Sequence, residues 1–166
     1  MEQKYKTFTV IPAVEATPDY ADGDVLFSPT EISNFFQSEN SSAQIVSLLV
    51  IDKVAANTSD FTVYFTHVAT SFGTVNATAD VAVGTIEEVQ AAIPIINGDW
   101  VSGNFDNAYT CMLTDPARAG IGAVVSSYNW ARNSFSSSIY IAGIADEAIN
   151  CGSTSDLIFR IGVKYL

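Results

Sequence analysis

The segment Asp156-Leu-Ile-Phe-Arg-Ile-Gly-Val-Lys-Tyr-Leu166 alternates without a break and limits the fold more than any other stretch of the chain. Leu157, Phe159, Ile161, Val163 and Tyr165 fall on one face of a period-two element, and Arg160, Gly162 and Lys164 on the other. Such a segment is held by ladder hydrogen bonds inside a sheet, so it reads as structure and not as a linker or an address. The expected molecule is a β-protein whose work depends on shape.

The 166 residues suit one domain, which at this length buries roughly 70% of its unfolded surface. With 48% hydrophobic and 15% charged residues the chain is no disordered tail, and it has apolar surface to hide against partners. Eighteen acids against seven Lys plus Arg give a net charge of −11, which repels phosphate backbones and argues against nucleic acid as a partner. No stretch reaches the roughly 20 apolar residues of a membrane helix. Met1-Glu-Gln-Lys-Tyr-Lys6 lacks the apolar core of a signal peptide, so synthesis in a cytoplasm, or earlier removal of a leader, is expected.

Cys111 and Cys151 match no CxxC metal or redox spacing and are either two free, partly buried thiols or one disulfide. Asn40-Ser-Ser, Asn57-Thr-Ser and Asn76-Ala-Thr fit the glycosylation pattern, but without a leader they read as turns.

Residues 1–20 read as an edge strand, Tyr5 to Val14, that becomes an extended N-terminal arm after Pro12. Residues 21–166 form the β-sandwich domain. Asp19-Tyr-Ala-Asp-Gly-Asp24 is a turn before the short apolar run Val25-Leu-Phe27, and Ile32, Phe35 and Phe36 make one helical turn or another strand. Ile45–Asp52 and Phe61–His67, with the polar Lys53–Asp60 between them, read as a long hairpin. One short helix is expected from Thr85, where Thr85-Ile-Glu-Glu88 has capping-box spacing, with Ile86, Val89 and Ile93 on one face and Pro94 as its stop. Further strands are expected around Trp100-Val101, Ala108–Leu113, Gly120–Ser126, Ser138–Ile144 and Leu157–Tyr165. The fold class is therefore mainly β, an antiparallel β-sandwich or jelly roll in a single domain.

Catalytic chemistry has few places to sit. His67 is the only histidine, so any imidazole base or relay must use it, yet it continues an apolar face and reads as a core or edge residue. There is no GxSxG, HExxH, P-loop or GxGxxG, and Gly120-Ile-Gly122 reads as a bend. Asp19, Asp22 and Asp24 lack EF-hand spacing and read as a solvated turn. No enzyme activity, metal or cofactor is expected. Ser126-Ser-Tyr-Asn-Trp-Ala-Arg-Asn-Ser-Phe135 mixes large aromatics and Arg with small polar residues, a composition suited to a subunit interface or to stacking on sugar rings.

Taken in order, Ala16-Thr-Pro-Asp-Tyr-Ala-Asp-Gly-Asp-Val25, Ile45-Val-Ser-Leu-Leu-Val-Ile-Asp-Lys53, Phe61-Thr-Val-Tyr-Phe65 and Ser153-Thr-Ser-Asp-Leu-Ile-Phe-Arg-Ile161 make a pattern that resembles small structural proteins of tailed bacteriophages, especially aquatic phages of the cyanophage type. The resemblance implies a virion component made in a host bacterial cytoplasm. Its implied role is a capsid decoration (cement) protein on the capsid exterior, bound to the outer surface of the major capsid protein lattice, often as a homotrimer. An extended segment can add a strand to a neighbour's sheet edge, so Tyr5, Phe8, Val10 and Tyr20 of the arm are the expected capsid contacts, and Tyr128, Trp130 and Arg132 the expected subunit interface. The alternative is a tail- or fibre-associated, adhesin-like carbohydrate-binding module.

Overall fold

A computed structural model describes residues 4–53, 59–102, 108–129 and 132–166. The strands are β1 (Tyr5–Val10), β2 (Val25–Ile32), β3 (Ser42–Asp52), β4 (Phe61–Thr66), β5 (Val89–Ile95), β6 (Trp100–Ser102), β7 (Tyr109–Leu113), β8 (Val124–Ser126), β9 (Tyr128–Asn129), β10 (Ser134–Phe135), β11 (Ile139–Ala145) and β12 (Leu157–Tyr165). The short helix α1 (Val83–Ile86) precedes β5, and a 3-10 turn covers Asn97–Asp99.

The alternation seen in the sequence sorts these strands into two layers. The larger sheet runs β1-β12-β3-β7-β6, with β8 pairing β3 farther along, and the smaller runs β2-β11-β4-β5. All these pairings are antiparallel. The chain crosses from one layer to the other between β1 and β2, β2 and β3, and β3 and β4, and it returns to pair late strands with early ones. That interlaced order is a jelly roll, the two-sheet solution in which Greek-key connections wrap one core.

The core lies between the layers. Phe8, Ile45, Leu48, Val50, Phe159 and Ile161 enter from the larger sheet, and Phe27, Phe61, Val63, Ile93 and Ile141 from the smaller, each at most 8% exposed. At its centre the Phe159 ring lies 5.4 Å from Phe27 and 6.3 Å from Phe61. An irregularity in the β12–β3 ladder at Gly162/Val163 gives β3 an extra residue, so that Ile45 and Leu48 both face inward despite their odd spacing.

Two expectations from the sequence are corrected. Ile45–Asp52 and Phe61–His67 do not form a hairpin, because β3 pairs with β12 and β7 while β4 pairs with β11 and β5. The helix expected over Thr85–Ile93 is only the single turn α1, and Val89–Ile95 is a strand. Ile93 satisfies both a helical and a period-two reading, but Ala91, Ile93 and Ile95 all point into the core and so decide for the strand. Thr85 does not cap; Ala82 occupies that position without a side-chain bond. Pro94 within β5 and Pro29 within β2 are accommodated because these are the outermost strands of the smaller sheet, where a missing N–H is tolerated.

Several loop readings now have geometry. Asn40 and Asn76 adopt left-handed backbone (φ 59° and 57°), as turn residues do, while Asn57 lies outside the described residues. Gly120 has φ +80° and faces the Ala92 carbonyl so closely that a Cβ would clash. Cys111 and Cys151 are free and buried.

Candidate functional site

The last residue of the β4 face, the start of β5 and the β8–β9 segment converge on one polar recess of about 260 Å³, lined by His67, Glu88, Gln90, Ser126, Tyr128 and Asn129 among others. His67 continues the inward alternation of Phe61, Val63 and Phe65 and is 2% exposed. Gln90 fixes the chemistry around it. Ser126 donates its N–H to Gln90 Oε1 (2.7 Å), and Gln90 Nε2 donates to the Ser126 carbonyl (3.1 Å). The carboxamide is thereby oriented with Nε2 toward His67 Nδ1 at 2.5 Å. Nδ1 must accept that bond, which leaves the imidazole proton on Nε2, and Nε2 is buried without a hydrogen-bond partner among the described residues. Burial pushes the His67 pKa down; nearby Glu88 opposes the shift and Arg132 adds to it.

Glu88, 5% exposed, is the charged centre of the recess. Its Oε1 accepts from Arg132 Nε at 2.9 Å and its Oε2 from Asn129 Nδ2. Asn129 Oδ1 also accepts the Arg132 backbone N–H (2.9 Å), so the arginine is held by its main chain as well as by its guanidinium. Among the described residues no hydroxyl or thiol hydrogen-bonds to His67, and the imidazole and Glu88 have separate partners. No nucleophile relay is assembled here. No three described His, Cys, Asp or Glu residues converge as a metal site, and Asp24 instead accepts the Ala21 N–H within its turn (2.8 Å).

Of the residues expected in the arm, Tyr5 is 63% exposed, whereas Phe8, Val10 and Tyr20 are 8%, 6% and 1% exposed and belong to the core. The Tyr20 hydroxyl accepts the Glu15 N–H at 2.5 Å, and burial pushes its pKa up to about 12. Of the residues expected at an interface, Tyr128 hydrogen-bonds Asn133 and packs against Phe135 with ring centroids 5.0 Å apart, on the rim of the recess that Arg132 flanks. Trp130 lies outside the described residues. His67 and Glu88 are brought to Tyr128 and Arg132 by the fold, and no local sequence signal joins segments so far apart.

The open edge of the larger sheet is a second feature. Among the described residues β1 pairs only with β12. Tyr165 donates its N–H to the Lys4 carbonyl (3.0 Å) in register with the Tyr5–Lys164 pair. Alternation along an antiparallel ladder then turns the N–H and C=O of Thr7 and Thr9 away from β12, toward the outer edge.

Neither a family model nor a curated protein sequence matches the chain. Among solved structures, the chain is similar to one titled tobacco necrosis virus, at 14% identity over 99% of this chain and 96% of that one, with a TM-score of 0.35. It is also similar to a full particle of Israeli acute paralysis virus heated to 63 degrees (8% identity, 98% and 70% covered, TM-score 0.28). A third is the infectious bursal disease virus VP2 subviral particle (10% identity, 98% and 40% covered, TM-score 0.32). Scores this low leave the jelly-roll assignment resting on this chain's own strand order.

Proposed function

We propose that this protein is a structural component of a virion, a decoration protein that binds the outer surface of a major capsid protein lattice and stabilises the head. The observation that carries the reading is the edge of β1, unpaired among the described residues, which offers the main-chain groups of Thr7 and Thr9 to a neighbouring strand. The resemblance of the residue pattern to structural proteins of tailed phages supports the same reading. A ligand that binds only the closed shell stabilises it by mass action, and many weak contacts repeated by symmetry suffice.

The test is to mix the protein with undecorated tailed-phage capsids, pellet the particles and count bound copies. Saturable binding in a symmetry-compatible number is expected, and Thr7→Pro is expected to abolish it. That substitution removes an outward N–H while leaving the β12 ladder intact. Binding that Thr7→Pro leaves unchanged would overturn the edge assignment. No binding by the folded wild type, together with capture on a glycan array, would favour the carbohydrate-binding module.

A further inference from the structure

The outer faces of the two sheets carry opposite charge around exposed apolar surface. On the larger sheet Arg160, Leu49 and Met112 stand in one cross-strand row, and Ile51 and Val101 project from the next. Met112 and Val101 are 58% and 62% exposed. Lys164 lies on the same face as Arg160, neither pairs with a described acid, and no described outward position of β1, β12, β3, β7 or β6 is acidic. In a chain of net charge −11 this is an unusual place to find unpaired cations.

Over the smaller sheet, Tyr64, Phe72, Val81, Ile86, Val89 and Ile144 line an apolar groove of about 320 Å³. Ile86 and neighbouring Val83 are 60% and 76% exposed on its lip. Asp80 flanks it in sequence, Asp146 hydrogen-bonds Thr62 beside it (2.7 Å), and no Lys or Arg lines it.

We propose that the cationic apolar face of one copy seats on the acid-rimmed apolar groove of a second copy, head to tail. Contiguous apolar surface bordered by polar groups marks an interaction site, and complementary potentials choose its partner. Two copies meeting through identical faces would set cation against cation or acid against acid. Only the unlike pairing satisfies both charge and apolar burial, and the acidic partner it calls for is present on every copy. Such a heterologous contact closes into a ring or extends, according to the rotation between copies. It is independent of the shell-binding reading, which uses the β1 edge.

The experiment is sedimentation equilibrium over a wide concentration range at moderate salt, on wild type and on two surface variants, Arg160→Glu with Lys164→Glu and Asp80→Lys with Asp146→Lys. The wild type is expected to exceed its 17.8 kDa monomer mass as concentration rises. Each variant alone is expected to stay monomeric, and an equimolar mixture to regain association because every contact again pairs opposite charges. A wild type that remains monomeric throughout, with the face left to a foreign partner, would overturn the proposal. So would variants that associate as the wild type does, or a mixture that stays monomeric.

Discussion

The ring of Phe27 lies over Gly143, its partner across the β2–β11 ladder, so closely that a Cβ at 143 would find Cδ1 and Cζ each 2.9 Å away. Phe27 is fully buried and packs against Phe159 at 5.4 Å, so the ring has nowhere to retreat. Gly143→Ala is therefore expected to cost about 1–3 kcal/mol, the usual range for overpacking, read as a lower urea midpoint with unchanged slope. A midpoint equal to wild type would mean that the two sheets separate more readily than this packing implies.

Phe159 is the ring on which both layers meet, and Phe159→Ala leaves a void between Phe27 and Phe61. A loss of about 3–5 kcal/mol is expected, measured by denaturant titration.

Deleting residues 1–20 tests how far the N-terminal segment belongs to the body. It removes β1 together with Phe8, Val10, Val14 and Tyr20, all buried. The expected outcome is loss of cooperative unfolding and of near-ultraviolet circular dichroism, in contrast to Thr7→Ser, which trims an exposed side chain. A truncated chain that still melted as one unit would show that the segment is an appendage.

Burial pushes the thiols of Cys111 and Cys151 up to about 12. Both are expected to resist a thiol reagent at pH 8 in the native protein and to react together on unfolding. Fast labelling of either in the native state would contradict its placement.

His67 has a folded pKa below its ordinary 6.5, burial being the main cause. Above about pH 6.5 both folded and unfolded chains hold it neutral and its titration changes nothing. As pH falls below that value the unfolded chain takes up the proton first, so stability declines until the folded pKa is reached. Urea midpoints between pH 7.5 and pH 5.5 should fall more steeply for wild type than for His67→Gln, and parallel profiles would refute this.

The elements that were legible in the sequence are those whose side chains alone define their environment. β12 was read at its observed limits because each of its alternate residues meets the core, and β11 and β7 nearly so. Partners were not legible. Ile45–Asp52 and Phe61–His67 are consecutive strand-like segments across a short polar stretch, and nothing local says that the chain changes layers between them. Val89–Ile95 fits two periodicities, and only the tertiary choice of which residues to bury separates them. Tyr128 and Arg132 stood out by composition, but their partners Asn133, Glu88 and Asn129 are joined to them by side-chain bonds that period and propensity do not encode.

The position of β12 between β1 and β3 sets the order of events during synthesis. The first two strands of the larger sheet in chain order, β1 and β3, have nothing to join them until the segment 157–165 has left the ribosome. Until then their apolar faces wait for a spacer made some hundred residues later. Contacts so distant along the chain slow folding, and strands without partners invite pairing with other chains. The acidic surplus in the intervening sequence holds nascent copies apart during that interval, before the larger sheet is complete.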